Sequence, residues 1–452
     1  MKITRTGYTH RYLSRIILQA ATPLSISSVE ESIMTDSLIL LDVNNLPYIP
    51  GTTLAGVIRH IVESKDKSVA EDIFGYHEGD KSHGSSILFT DAKIVGPDGV
   101  VDGIKAIDFN DEFYSLYKYL PIRQHTRITD KGAVMKGAKF DEQIIPKGTR
   151  FCFEIELIGN EEQKNMLPEL LKIISSKSFR IGGGSRSGFG MVDIVSIQTT
   201  SLDLSKDMNL YLEKSSSLDE SGNWIEWKSE SIVSDDSTLI EYTLELKATD
   251  FVHFGSGHGD SDVDDSPLSE KFVIWKDNKP TIAESNHIIP GSSIKGAVAH
   301  RVAYHYNKLI GAYVGSGMFG KDNEAVKNLF GSEGDMGTNG LINKKCGVVL
   351  FSDMIENFYD KSPKVFNHVS INQFTSGALS GHLFSESTIY AKDRSYNLSI
   401  VLPGDTYDKY VKALELSLKD ICIGLLPLGG FVNRGHGSFI GKLLKNGEEI
   451  YG

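Results

Sequence analysis

The sequence predicts an α+β protein made of two tandem copies of one domain, and the first observation behind this is a repeated motif. PYIPGTTLAGVIRH at residues 47–60 recurs 240 positions later as HIIPGSSIKGAVAH at residues 287–300. In each copy an apolar pair ends at Pro-Gly, two hydroxyl residues offer helix N-caps, and apolar residues follow at helical spacing. The motif therefore predicts the same strand-to-helix junction twice.

Other landmarks that recur in the same order are the second observation. LFTDA at residues 88–92 returns as LFSDM at 350–354, and GGGSRSGFG at 182–190 is echoed by GGFVNRGHG at 429–437. Ordered landmarks with offsets between 240 and 262 residues predict a tandem duplication with small insertions in the second copy.

The order of predicted elements within each copy is the third observation. Each copy reads as strand, helix, strands, a polar glycine-rich arm that closes on an alternating strand, helix, glycine loop and strand. This is the order of a ferredoxin-like α+β domain, the framework that RNA-recognition modules (RRM) also use. The predicted ranges in the two copies are 14–21 and 243–249 for the first strands, helices from Thr52 and Ser292, 85–95 and 347–354 for the next strands, 123–157 and 368–402 for the arms, 161–176 and 407–423 for the last helices, and 191–197 and 439–444 for the final strands.

Length and composition fit two soluble domains. The 452 residues allow two or three domains, and the repeat selects two: residues 1–198 and 239–452, joined by an acidic, serine-rich linker at 199–238. Mean hydropathy is -0.17 and no apolar run approaches a membrane span, so we expect no membrane association. The first 15 residues lack the apolar core of a signal peptide, and the three cysteines have no CxxC spacing. We therefore expect a cytoplasmic protein without disulfides or zinc.

The distribution of charge indicates a polyanion partner more clearly than the total charge does. Net charge is -12, but residues 198–240 carry nine acidic and three basic residues, which accounts for half of the excess. Residues 118–150 carry eight basic and three acidic residues. A local basic ribbon on an acidic chain fits a subunit that holds a polyanion along one face, and it also fits a solvated charged hairpin.

With these features the chain resembles a tandem fusion of two backbone subunits of the RAMP superfamily, the repeat-associated proteins that build type III CRISPR effector complexes. The resemblance lies in the IPG junctions, the arms that begin HTRI and HVSI, and the two glycine loops. It implies that the chain binds guide CRISPR RNA and target RNA beside other subunits of the complex. Each hairpin arm would then act as a thumb that splays a base of the guide–target duplex.

The resemblance also implies an aspartate, in the loop before the junction, that supports metal-dependent cleavage of target RNA. In the second copy the match is Asp265, within DDSPL, with Asp264 as the alternative neighbour. In the first copy it is Asp36, within TDSLIL, where Leu38 stands in place of the expected proline. Asp265 and Asp36 are therefore the predicted catalytic and metal-binding residues.

The surrounding acids favour weakly bound Mg²⁺ or a similar divalent metal over a calcium loop. The acidic run from Asp260 to Asp265 lacks glycine at its sixth position and has Lys271 where an EF-hand needs a bidentate glutamate. One or two carboxylates with mostly water ligands suit magnesium, which substrate phosphates recruit. The glycine loops fit neither GxxxxGK[ST] nor GxGxxG, so the sequence gives only weak support to a nucleotide-triphosphate or dinucleotide site.

The reaction that these parts favour is attack by the RNA's own 2′-hydroxyl, which needs positioning and charge stabilisation but no protein nucleophile. His125 and His368 occupy equivalent places at the roots of the arms, where they fit an acid–base role or a structural and RNA-contact role. The predicted RNA contacts are Arg59, Arg123, His125, Arg127, Lys136, Gly183, Gly184, Arg186, Ser293, Lys295, His368, Gly429, Gly430 and Arg434.

Two further function classes stay open on the sequence. One is a non-catalytic RNA-binding scaffold subunit of the same complex. The other is a guide-RNA-processing endoribonuclease of the same superfamily, although those enzymes do not normally carry long thumbs in both halves.

Overall fold

The computed structural model describes residues 8–28, 35–79, 81–129, 133–218, 227–234, 236–312, 318–332, 344–356 and 363–452. The elements of the first half are β1 (His10–Ala20), α1 (Gly51–Lys65), α2 (Lys67–Phe74), β2 (Tyr76–Glu78), β3 (Lys81–His83), β4 (Ile87–Phe89), β5 (Lys93–Gly96), β6 (Gly99–Val100), α3 (Glu112–Lys118), β7 (Ile122–Ile128), β8 (Val134–Gln143), β9 (Arg150–Gly159), α4 (Met166–Ile174), β10 (Val192–Asp203), α5 (Leu204–Leu212) and β11 (Lys228–Ser229).

The second half repeats this series with additions. Its elements are β12 (Leu239–Ala248), β13 (Phe251–Val252), β14 (Ser269–Lys276), β15 (Lys279–Ile289), α6 (Gly291–Leu309), α7 (Glu324–Phe330), β16 (Gly331–Ser332), β17 (Lys345–Cys346), β18 (Leu350–Phe351), β19 (Met354–Glu356), β20 (Lys364–Ile371), β21 (Ala378–Tyr390), β22 (Ser395–Pro403), α8 (Asp408–Cys422), β23 (Phe439–Lys445) and β24 (Glu448–Tyr451).

The two main sheets have the same topology. In the first, β10 pairs with β1, β1 with β9 and β9 with β4, all antiparallel. In the second, β23 pairs with β12, β12 with β22 and β22 with β18, again antiparallel. Strand order 4-1-3-2 with one helix after the first strand and one after the third is the ferredoxin-like arrangement. The predicted mixed α+β architecture is therefore confirmed, and both halves share it.

Each sheet is closed on one face by its two long helices. In the first half Leu54 and Ile58 of α1 and Leu171 of α4 enter one buried cluster with Ile16 and Phe153 of the sheet. In the second half the corresponding helices α6 and α8 form a separate cluster with strands β12 and β22. Two separate cores explain why a duplicated sequence can fold as two similar units.

The junction helices begin as predicted but are not capped as predicted. Helix α1 begins at Gly51 and α6 at Gly291, and neither N-cap makes a side-chain hydrogen bond. The Gly51 N–H donates to Asp91 Oδ1 (2.9 Å), and the Gly291 N–H donates to Asp353 Oδ1 (2.8 Å). The aspartates of LFTDA and LFSDM therefore satisfy the helix ends that we assigned to hydroxyl groups, since a carboxylate also complements the positive end of the helix dipole.

The segment predicted as a linker, 199–238, is partly folded. It begins inside β10 and contains α5 and β11, which pairs with β10. Tyr211 and Trp227 of this segment pack beside Leu13 and Leu202 on the face of the first sheet opposite α1 and α4. The sequence did not predict this folding, because only a few apolar side chains of the segment make the contact and they give it little hydrophobic periodicity. Trp224 of the same segment lies outside the described residues.

The second half has one hairpin, β14–β15, that the first half replaces by the tight turn at Asp42–Leu46. This hairpin packs on the first half. The Trp275 Nε1–H donates to the Gly148 carbonyl (2.8 Å), and the Val273 N–H donates to the Lys147 carbonyl (2.9 Å). An insertion in one copy therefore helps to hold the two copies together.

Each half carries a two-stranded arm, β7–β8 in the first and β20–β21 in the second. Apolar side chains along both arms are exposed, among them Val134 at 66% and Leu383 at 72%. Among the described residues no helix is long and apolar enough to cross a membrane.

Candidate nucleic-acid interface and carboxylate site

In both halves the loop before the junction helix is hydrogen-bonded to the root of the arm. In the first half the Asp141 N–H donates to Asp36 Oδ2 (3.0 Å), and the Asp36 N–H donates back to Asp141 Oδ1 (2.9 Å). In the second half the Ser385 N–H donates to Asp264 Oδ2 (2.7 Å), and the Asp264 N–H donates to Ser385 Oγ (3.1 Å). Asp36 and Asp264 therefore occupy the same position and hold the loop on the arm.

The hydrogen bonds on either side fix this alignment. The Gln143 N–H donates to the Ser37 carbonyl and the Ser387 N–H to the Asp265 carbonyl, both at 2.9 Å. The structural equivalent of Asp265 is thus Ser37, and the sequence pairing of Asp36 with Asp265 is wrong by one residue. The error arose because the sequence pairing aligned the two Asp-Ser dipeptides, residues 36–37 and 265–266. The backbone hydrogen bonds instead align Ser37 with Asp265, which is one residue away from that pairing.

Asp265 pairs with a buried histidine. Its Oδ2 lies 3.1 Å from Nε2 of His253, while Nδ1 of the same ring lies 2.9 Å from the Ser387 carbonyl. His253 is 2% exposed, whereas the Asp265 side chain is 37% exposed. A carbonyl and a carboxylate only accept, so the ring makes both hydrogen bonds when both of its nitrogens carry protons. The pair therefore fixes one carboxylate oxygen and leaves the side chain accessible to a ligand.

Two glycines make room for this pair. A Cβ on Gly255 would lie 2.9 Å from Asp265 Oδ1 and 3.0 Å from His253 Nε2. A Cβ on Gly430, in the glycine loop, would lie 3.0 Å from His253 Cδ2. Sequence reasoning missed His253; the signal that could have found it is a histidine between a strand and a glycine-rich loop.

The predicted histidines lie at the arm roots in matching environments. His125 stacks on Phe140 (ring centres 4.8 Å apart), with Nε2 3.0 Å from Glu142. His368 stacks on Phe384 (5.0 Å), with Nε2 3.2 Å from Glu386. Both rings are thus held between an aromatic ring and a carboxylate, which favours a structural or RNA-contact role over proton transfer to a substrate.

The second arm root contains more ionisable groups than the first. Glu386 is fully buried, and its carboxylate lies 2.6 Å from Arg434 and 3.5 Å from His436. The Arg434 guanidinium lies between two rings, 4.9 Å from the centre of Phe384 and 4.7 Å from that of Phe431. Burial lowers the pKa of His436, and the neighbouring Glu386 opposes this shift. The stacked Arg434 keeps a third of its side chain exposed, where its remaining donors can meet a phosphate.

Arg123 does not lie on the surface, so its predicted RNA contact is corrected. Its side chain is 2% exposed and forms ion pairs with Glu270 and Asp353 of the second half. Burial by itself lowers the pKa of Arg123, but the Asp353 and Glu270 carboxylates outweigh it and hold this pKa above its ordinary value. A sequence cannot reveal this, because the partners are 147 and 230 residues away.

The first glycine loop, residues 182–190, contacts the second half at Gly347 and Lys295, and we call this contact region between the halves the seam. The Arg186 Nε–H donates to the Gly347 carbonyl, and Lys295 Nζ donates to Ser187 Oγ (3.4 Å). Burial and the nearby Arg186 both lower the pKa of Lys295. Within the described residues no carboxylate lies within ion-pair distance of either cation, so the seam presents two neighbouring positive charges suited to an anion.

The backbone N–H groups of the glycine loops are only partly available. The Gly183 N–H donates to the Ser25 carbonyl (2.7 Å), and the Gly430 N–H donates to the His253 carbonyl (2.8 Å). These two donors are therefore not open to RNA, which corrects the predicted RNA contacts through the N–H groups of Gly183 and Gly430. Among the other predicted contacts, Gly184, Gly429, Ser293 and Lys136 are exposed, and Arg59 and Arg127 are partly exposed.

The predicted metal residues are not brought together. Asp36 and Asp265 lie in different halves, each at its own arm root. In the part of the chain that the structure describes, no group of three or more His, Cys, Asp or Glu side chains is placed to hold a metal ion. A divalent cation at Asp265 would therefore keep most of its water ligands.

A comparison with family models matches this chain twice. The model described as the RAMP superfamily covers residues 17–193 and 245–440, one region in each half. The resemblance inferred from the repeated motifs is thereby confirmed as a tandem pair of such regions. A comparison with curated proteins gave no match.

Proposed function

The chain belongs to the RAMP superfamily, and we propose that it is a guide-RNA-binding backbone subunit of a type III CRISPR effector that also cleaves bound target RNA. The observation that carries the catalytic part is the accessible Asp265 carboxylate, oriented by buried His253 at the root of an exposed arm. Such a carboxylate lies beside the place where the arm would separate a base from the guide–target duplex.

Three groups of cations support RNA binding. Lys136 and Lys139 are exposed on the first arm, Arg434 is held between two rings at the second arm root, and Arg186 and Lys295 meet at the seam. Each can contact phosphates, which would position RNA without reading its sequence. The guide would thus run across the arm roots and the seam between the halves.

The reaction needs little covalent chemistry from the protein. A base splayed by the arm lets its ribose 2′-oxygen line up with the adjacent phosphorus and displace the 5′-oxygen of the next nucleotide. The 2′-hydroxyl loses its proton and the leaving oxygen gains one, so the RNA ends in a cyclic phosphate and a free 5′-hydroxyl. Holding this alignment is worth several kcal/mol, up to about 7–11 in the best cases.

Magnesium fits the residues present as a weakly held, mostly hydrated ion. Asp265 has one oxygen bound to His253, so it can offer the other to a cation. Asp264 already accepts from Ser385, which leaves it a poorer ligand. When bound, the ion would supply positive charge against the charge that develops on the phosphate.

The test uses the assembled complex with its guide RNA, a complementary target labelled at either end, and Mg²⁺. We expect Asp265→Asn to abolish a cleavage event while guide and target binding stay nearly unchanged, since a partly exposed carboxylate contributes little to the fold. The matched control is Asp262→Asn, an exposed aspartate of the same loop. Full cleavage at every position in the Asp265 variant would contradict the catalytic part.

Two alternatives have separate readouts. A wild-type complex that holds guide and target but cuts nowhere would leave the scaffold function. Cleavage of isolated repeat RNA by the chain would indicate guide processing instead. Guide-length RNA in the purified complex supports the guide-binding part of the proposal.

A further inference from the structure

The two halves differ in chemistry at three positions where their backbones coincide. The isolated bridges Ser27–Ile39 and Gly255–Pro267 are equivalent, so the loops align with a constant offset. His253, Gly255 and Asp265 of the second half correspond to Ser25, Ser27 and Ser37 of the first.

The first half has serine hydrogen bonds where the second has its histidine–aspartate pair. Ser37 Oγ donates to Ser27 Oγ (2.8 Å), and Ser25 Oγ donates to Glu142 (2.9 Å). The same backbone contacts form around both sets, since the carbonyls of Ser25 and His253 each accept from the glycine loop. The fold therefore does not require the His253–Asp265 pair.

The acid that both halves share has a different task. Asp36 accepts a hydrogen bond from the Asp141 N–H, and Asp264 accepts one from the Ser385 N–H. In each half the donor is the residue that lies between the aromatic residue and the glutamate of the arm root. This contact fastens the loop to the arm in both halves. Asp36 and Asp264 thus have a structural task that both halves share. Asp265 is distinct from them, because the equivalent residue in the first half is Ser37.

We propose that only the second half cuts target RNA and that the first half holds the target without cutting it. The inference rests on the proposed function and narrows it, because each chain then contributes one cleavage position although it carries two arms. Asp36, which the sequence suggested for a second event, becomes a residue that positions the loop.

The experiment counts cleavage positions per chain in the full complex. The number of copies of the chain comes from native mass spectrometry, and the positions come from end-labelled target resolved to single nucleotides. We expect as many Asp265-dependent positions as there are chains, and we expect Asp36→Asn, which keeps an acceptor oxygen, to leave every position in place. Loss of a position in Asp36→Asn with target binding intact would overturn the inference.

A swap variant removes ambiguity about folding. His253→Ser, Gly255→Ser and Asp265→Ser together give the second half the residues that the first half already carries on the same backbone. We expect retained guide and target binding, thermal unfolding close to wild type, and complete loss of the Asp265-dependent positions. Cleavage that persists at those positions would overturn the inference. Asp265→Asn is the second variant if the triple swap lowers stability, and a wild-type complex without any cleavage would instead refute the proposed catalytic function.

Discussion

The two glycine loops share a backbone but not an environment. Gly188 and Gly435 both have positive φ, at 118° and 93°. A Cβ on Gly188 would collide with Asp353 Oδ1 and approach the Gly291 N–H at 3.1 Å, whereas a Cβ on Gly435 would meet nothing within 4 Å. The loop conformation belongs to the repeated domain, while its surroundings depend on how the two domains dock.

The docking uses different surfaces of the two halves. The first half contributes its arm root and glycine loop, and the second contributes its junction-helix terminus and the β14–β15 hairpin. Such a head-to-tail contact cannot place equivalent residues in equivalent roles. Residues at the seam therefore have different contacts in the two copies.

The largest expected effect is on the buried ion pairs of the seam. Arg123→Ala leaves Glu270 and Asp353 unpaired in the interior, which should lower the free energy of unfolding by about 3–5 kcal/mol. Chemical denaturation measures this change. Lys136→Ala, on the exposed part of the same arm, is the control and should change stability by less than about 0.5 kcal/mol. Equal effects of the two variants would contradict the burial of Arg123.

The next effect compares the two loops directly. Gly188→Ala should cost more than about 2 kcal/mol, since its Cβ collides at the seam and its backbone is strained, while Gly435→Ala should cost only the backbone strain, about 1–2 kcal/mol. Differential scanning calorimetry of both variants gives the comparison. If the Gly435 variant loses as much stability as the Gly188 variant, the seam contact is not what distinguishes the loops.

A third prediction concerns the arms. Residues 366–385 of the second arm contain no Lys, Arg, Asp or Glu, and Phe374 is 86% exposed, whereas the first arm carries exposed Lys136 and Lys139. For single-stranded RNA, the logarithm of the binding constant falls linearly with the logarithm of the salt concentration. Replacing both lysines by Ala should reduce the magnitude of that slope by about 1.4, since each phosphate contact contributes about 0.7.

The matched variant on the other arm is Phe374→Ala. It should leave the salt slope unchanged, because removing an apolar ring releases no counterion. Affinity measured between low and moderate salt separates the two results. Identical slopes in wild type and the double lysine variant would assign the first arm to a protein contact.

The smallest effect is expected at Lys295. Lys295→Met should raise the free energy of unfolding by about 1 kcal/mol at neutral pH, because it removes a half-buried charge that lies beside Arg186. The folded pKa of Lys295 lies below its ordinary value, so in wild type its contribution to stability should rise as pH increases through that folded pKa toward the unfolded value. The variant should lack this rise. A pH series of denaturation curves measures this difference. A steeper rise of stability with pH in the variant than in wild type would contradict the lowered pKa of Lys295.

Much of the fold could be predicted because its signals are local. The IPG motifs place α1 and α6, alternating apolar residues place β9 and β22, and the duplicated landmarks reveal two halves with separate cores. Hydrophobic periodicity and turn residues depend on neighbours along the chain, so they survive in one sequence. The RAMP resemblance followed from the same ordered motifs.

The site depended on contacts that no local pattern encodes. Only the folded chain brings Arg123 against Asp353, aligns Asp36 with Asp264, and sets His253 against Asp265. A charge pattern on an arm predicts exposure, but a partner more than a hundred residues away can bury that charge. A shift of one residue in the hydrogen-bond register of a loop moves a side chain to a different place, and the sequence does not reveal it. Residue order was thus enough for the repeat and its elements, whereas hydrogen-bond register and docking between halves decided which side chains reach the surface.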